Sequence, residues 1–155
     1  MKAIILQTLD TQRDNIKSQK ASKKLELLLL NEKIIDEVKT ESCILEINEL
    51  SDSIKKLSLT TDLLITIGGT GLGLDDCTPE ASKKVFEKDC PGIAELMRSE
   101  TAKLNKKAWI SRYVSGIYQN TLIVNFPGKE SAVAECYECA SDIILHTTKM
   151  LCKLK

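Results

Sequence analysis

Net charge of either sign is missing from this chain: Lys+Arg and Asp+Glu are each 22, and the formal charge is zero. No global field attracts nucleic acid or an anionic membrane, so neither is expected as a partner. Long apolar runs are missing too. The longest block, Leu25 to Leu30, is interrupted by Glu26 and is far too short to span a bilayer. The N-terminal MKAIILQTLD lacks a signal-peptide apolar region of adequate length, and a cytoplasmic protein is expected. Histidine occurs once, as His146, which leaves no Ser-His or Cys-His pair for nucleophilic catalysis and favours a capping or packing role. Repeats, linkers and low-complexity tracts are absent, and 155 residues suit a single domain spanning 1–155.

Cysteine is present without its usual partners. The six cysteines (43, 77, 90, 136, 139 and 152) are scattered through strand and helix patterns of a chain large enough to fold without staples, so reduced thiols are expected. Cys136 and Cys139 form a lone CxxC inside a helical stretch. No second pair or spaced histidine completes a zinc site, which favours plain packing.

What the chain does have is the run Asp62 to Glu80, DLLITIGGTGLGLDDCTPE. Leu63, Leu64, Ile65 and Ile67 are continuously apolar, as in a strand buried on both faces. Gly68, Gly69, Gly71 and Gly73 follow, and a backbone without β-carbons can bring its N–H groups close to a phosphate. Thr78 reads as the N-cap of a new helix with Pro79 at its first position. On pattern alone the glycines suit a plain tight turn as well as an anion cradle. A P-loop is excluded because no lysine follows, and the dinucleotide GxGxxG begun at Gly69 fails at Leu74. Asp75 and Asp76 would repel a phosphate unless a cation lies between, which points to Mg²⁺-assisted phosphoryl or nucleotidyl transfer. At Cys77 a helix start would lower the thiol pKa and the aspartates would raise it.

Strand and helix patterns alternate along the chain. Strands are predicted at Ala3 to Leu6, Ile44 to Ile47 and Asp62 to Ile67, with helices at Ser22 to Val38 and Glu49 to Leu59. Such alternation predicts an α/β fold on a mostly parallel sheet, with ligands beyond the carboxyl ends of the strands, where Gly68 to Asp76 falls. Helices follow from Pro79 to about Lys88 and from Pro91 onward. Ala108 to Ile117 reads as extended, Tyr118-Gln119-Asn120 as a turn, and Thr121 to Phe126 as a strand, giving one late antiparallel pair. Pro127-Gly128 then turns into a helix from Ser131 to Leu151.

With TIGGTGLGLDDCTPEAS, then PGIAELMR at Pro91 to Arg98, then SRYVSGIYQNTLIVNFPG at Ser111 to Gly128, the chain resembles the MogA/MoaB family of molybdenum cofactor biosynthesis proteins. The likeness runs from about Leu63 to Glu138 and is specific because the segments keep their order and spacing. It implies a three-layer α/β/α fold, a homotrimer, and binding of molybdopterin, which active members adenylylate with ATP and Mg²⁺. By motif, Gly68, Gly69, Thr70 and Gly71 would line the nucleotide site beside Thr78, and Asp76 would be the catalytic, metal-holding aspartate. Ser111, Arg112 and Gly116 match the family's Ser-Arg-x-x-x-Gly, and Pro127-Gly128 its pterin-side turn. Arg112 suits a phosphate clamp or a structural ion pair. The family's further aspartate between the second strand and second helix is absent, and Glu49 is the candidate substitute. The N-terminal family pattern is reduced to Thr8-Leu9-Asp10 and the glycine-free DNIKSQKAS, and Pro-Gly-Ser-Pro has become Pro127-Gly128-Lys129-Glu130. These departures suit a member that binds pterin or nucleotide without turnover.

Overall fold

In chain order the elements are β1 (Lys2–Leu9), α1 (Ile16–Leu30), β2 (Glu37–Ile44), α2 (Ile47–Ser58), β3 (Leu63–Ile67) and α3 (Thr78–Lys83). They continue as β4 (Lys88–Asp89), α4 (Pro91–Leu104), a 3₁₀ turn (Lys106–Ile110), β5 (Ser115–Tyr118), β6 (Thr121–Phe126) and α5 (Glu130–Cys152). This computed structural model describes residues 1–10 and 15–154; Asp14, which opens the DNIKSQKAS segment, lies outside the described residues.

The six strands form one sheet in the order β2-β1-β3-β6-β5-β4. β1, β2, β3 and β6 run parallel, and β5 runs antiparallel to both of its neighbours. Register sorts the side chains onto two faces. Ile5, Ile65 and Val124 lie opposite one another and pack with Leu25, Met97 and Ile144 from α1, α4 and α5. One residue earlier, Ile4, Leu64 and Ile123 face Leu50, Ile54 and Ala81 from α2 and α3. Three layers result because β3 is buried along its full length and needs a helical cover on each face. The crossover from β1 outward to β2 and back to β3 makes the carboxyl end of β1 and β3 a topological switch point, the usual place for a ligand in such sheets.

Several predicted boundaries move. The second strand is Glu37–Ile44, so Val38 belongs to a strand and Ile47 opens α2. β2 is an edge strand with one buried residue, Cys43, and a charged sequence, which removes the apolar signal that a strand is read from. α1 correspondingly starts at Ile16 and stops at Leu30. α3 is short and ends at Lys83, well before Lys88. Lys106–Ile110 is a 3₁₀ turn, not extended chain. His146 is exposed within α5 and does not stand at a cap position of that helix. Among the described residues no cysteine pair forms a disulfide, and burial raises the Cys136 thiol to about 12, well away from a redox-active CxxC. Among the described residues no helix is long and apolar enough to cross a membrane.

Candidate functional site

The carboxyl end of β3 turns abruptly because Gly68 and Gly69 adopt φ of +97° and +63°. Both positions are also crowded: a β-carbon on Gly68 would lie 2.7 Å from Thr8 Oγ1, and one on Gly69 would lie 2.3 Å from Thr78 Oγ1. Conformation and space therefore select glycine twice. The Thr8 hydroxyl, at the end of β1, donates to Ile67 O at 2.8 Å, and the Gly68 N–H donates to Phe126 O at 3.1 Å. The turn is thus tied to both strands that flank β3.

Thr78 corrects an expectation. It occupies the first position of α3 and Cys77 is the N-cap, while the buried Thr78 hydroxyl donates to Gly68 O at 2.8 Å. Its role is to hold the turn against the helix. Asp76 Oδ2 accepts the Gly73 N–H at 2.8 Å, and a β-carbon on Gly71 would lie 2.8 Å from the same oxygen. Arg112 closes the loop from the other side. Its Nε donates to Gly71 O at 2.6 Å, one Nη to Asp76 O at 2.7 Å, and the other Nη pairs with Glu80 on α3. Of the two roles that suit Arg112, the structure shows the ion pair.

Around Cys77 the charges converge. Burial pushes its thiol up, the carboxylates of Glu80, Glu46 and Asp76 push the same way, and Arg112 opposes them. A raised pKa makes Cys77 a neutral thiol and a poor nucleophile. Among the described residues, no three His, Cys, Asp or Glu side chains form a group that could hold a metal ion.

The sequence profile of the family described as "Probable molybdopterin binding domain" matches residues 30–146. The chain belongs to this family. It is 43% identical over 90 residues to a Helicobacter pylori strain J99 protein named molybdopterin adenylyltransferase, a stretch covering 58% of this chain and 51% of that one. It is 34% identical over 84 residues to the Escherichia coli K12 protein of the same name, covering 54% of this chain and 43% of that one. The chain thus spans about half the length of these relatives, 51% in the first case. Among solved structures it resembles the molybdopterin biosynthesis enzyme MoaB from Thermus thermophilus, with a TM-score of 0.82 and 25% identity over 97% of this chain and 95% of that one.

For a molybdopterin-binding domain, the remaining predicted residues divide into two groups. Ser111 and Pro127 come together in a cavity of about 150 Å³ that Lys107 and Tyr113 also line. Gly128 lies against the turn itself, since a β-carbon there would sit 3.4 Å from Gly68 Cα. Glu49 and Gly116 stand apart from these contacts. Glu49 lies in the first turn of α2 and lines a separate depression with Asp52 and Lys56. Gly116 makes room for Phe86, whose ring would lie 2.4 Å from a β-carbon. A separate cleft of about 490 Å³ between Lys83, Asp89 and Arg98 contains none of the predicted site residues.

The roles of three residues went unread in the sequence. Thr8, read there only as a remnant of the N-terminal family pattern, supports Gly68 from the end of a parallel strand. Glu46 is the carboxylate that stands in the β2–α2 turn, three residues before Glu49, and a shifted β2 boundary hid it. Asn125 is fully buried and donates to Thr66 Oγ1 at 2.9 Å and Ser82 Oγ at 2.8 Å, tying β6 to β3 and α3. A lone Asn inside an apolar strand is the signal that finds it, since a buried amide needs partners.

Proposed function

We propose that this chain is a molybdopterin adenylyltransferase-like protein of molybdenum cofactor biosynthesis, a single domain spanning 1–155 that acts on molybdopterin with Mg-ATP. The observation that carries the reading is the glycine turn at the switch point, with Asp76 held at its end, in a chain similar to proteins named molybdopterin adenylyltransferase. A terminal phosphate oxygen of the pterin attacks the α-phosphorus of ATP. The new P–O bond forms as the bond to the bridging oxygen breaks, and pyrophosphate carries away the electron pair. Gly68, Gly69, Thr70 and Gly71 offer backbone around the phosphates, where preorganised N–H groups are worth more than mobile water. Ser111, Pro127 and Gly128 belong to the pterin side. Asp76 is the residue to hold Mg²⁺, which supplies charge neutralisation on the triphosphate.

A second reading, binding without turnover, is favoured by one observation. Both carboxylate oxygens of Glu46 accept N–H groups of its own helix, which leaves Asp76 without a second uncommitted carboxylate from that turn. Incubation with molybdopterin and Mg-ATP separates the two: pyrophosphate release supports the enzyme, and calorimetric binding without release supports the binding module. Chelation of Mg²⁺ is expected to weaken ATP binding, because Asp75 and Asp76 otherwise face the phosphates. We further infer a homotrimer, for which the exposed Leu104, Trp109 and Ile110 offer contact surface, and sedimentation equilibrium showing only monomer would reject it. Six cysteines with no disulfide among the described residues suit the reducing cytoplasm.

A further inference from the structure

Arg112 spends its guanidinium on the protein. Nε meets Gly71 O at 2.6 Å, one Nη meets Asp76 O at 2.7 Å, the other meets the Glu80 carboxylate, and the Arg112 N–H donates to Thr70 O at 3.0 Å. Peptide geometry then fixes where the neighbouring amides point. Every peptide bond described is trans, and in a trans peptide the C=O and the following N–H point in opposite directions. Carbonyls 70, 71 and 76 are drawn toward Arg112, so the N–H groups of Gly71, Leu72 and Cys77 point away from it. Among the described residues none of these N–H groups donates to a protein acceptor. They form a set of oriented, unspent donors of the kind that binds anions.

We propose that Arg112 is a positioning residue: it turns these backbone donors toward the nucleotide phosphates and fixes the loop bearing Asp76, without itself touching the phosphate. Glu80 anchors the guanidinium from α3 so that the loop and the helix move as one. The proposal rests on the nucleotide reading above. It differs from a phosphate clamp in what a lysine would do. An ammonium keeps the positive charge and would retain most of a direct phosphate contact, but it is a point donor and cannot span two carbonyls and a carboxylate held in different directions.

The test compares Arg112→Lys, Arg112→Gln and Glu80→Gln, first without ligand by amide hydrogen exchange and then by Mg-ATP titration. Gly73 is the reporter, because its N–H bonds Asp76 Oδ2 within the loop. Both Arg112 variants are expected to accelerate Gly73 exchange and to weaken Mg-ATP binding alike, by about tenfold or more, while exchange in β3 stays as in the wild type. Glu80→Gln, an exposed change that preserves the fold, shifts Gly73 exchange in the same direction by a smaller factor. Near-wild-type Mg-ATP affinity in Arg112→Lys with loss only in Arg112→Gln would overturn the proposal in favour of the clamp. Unchanged Gly73 exchange in all three variants would overturn it as well. Accelerated exchange in a protein whose wild type binds no Mg-ATP would support the loop clamp and reject the nucleotide reading separately.

Discussion

Two strand-to-helix turns stand at the same carboxyl end of the parallel strands, and each presents a carboxylate that ends differently. In the β2–α2 turn, Glu46 accepts the N–H of Asn48 at 3.2 Å through both oxygens and that of Glu49 at 3.0 Å, so it is consumed by the helix it begins. In the β3–α3 turn, Asp76 accepts one N–H, from Gly73, and the loop is held by an arginine 36 residues away in sequence. The first turn is stabilised locally and has no carboxylate oxygen to spare. The second is stabilised from a distance, and its aspartate keeps an oxygen that accepts from no described residue. Distance is what makes the difference: a cap satisfies its own helix, whereas a tertiary clamp supports the loop and leaves the acid free for a ligand.

The contrast breaks most visibly at Asp76. Asp76→Asn keeps the acceptor for Gly73 but removes the charge, so pyrophosphate release should fall about 100-fold or more while unfolding free energy shifts by no more than about 1 kcal/mol. Activity that survives the change would end its assigned role. Thr78→Val tests the distant support. The buried Gly68 carbonyl loses its donor, and urea unfolding should show a loss of about 1–3 kcal/mol.

Glu46→Gln tests the local cap through pH. Hydrogen bonds from the Glu49 and Asn48 amides, aided by Lys84, hold the Glu46 carboxyl below its ordinary value of 4.5. A depressed folded pKa stabilises above the unfolded value and is lost as pH falls through the folded one. The melting-temperature gap between wild type and variant should therefore be full at neutral pH and close in acid, with turnover little changed. A large loss of turnover would place Glu46 in the chemistry and erase the contrast. The smallest effect belongs to Asp75→Asn, an exposed change expected to alter stability by less than about 0.5 kcal/mol and turnover only slightly.

How legible each part was follows from where its stabilisation comes from. Leu63 to Ile67 announced a strand because burial on both faces leaves an unbroken apolar run, and Thr121 to Phe126 did so for the same reason. The glycine turn was legible because positive φ and close approach both select residues without a β-carbon. β2 was not, since an exposed edge is held by its ladder to β1 and asks little of its side chains. A strand expected at Ile44 to Ile47 encloses Glu46, which in the structure is the N-cap of α2, and leaves Glu49 as the carboxylate expected in the turn.

The amino-acid order by itself therefore determined the layered α/β class, the family, and the place of the glycine turn at the end of β3, because each is written in local composition and spacing. Only the tertiary structure decided what the polar groups do there. Arg112 reaches Gly71, Asp76 and Glu80 across 41, 36 and 32 residues, and Thr8 reaches Ile67 across 59. Hydrogen bonds over such separations depend on which strands the chain brings together, and no local pattern encodes them.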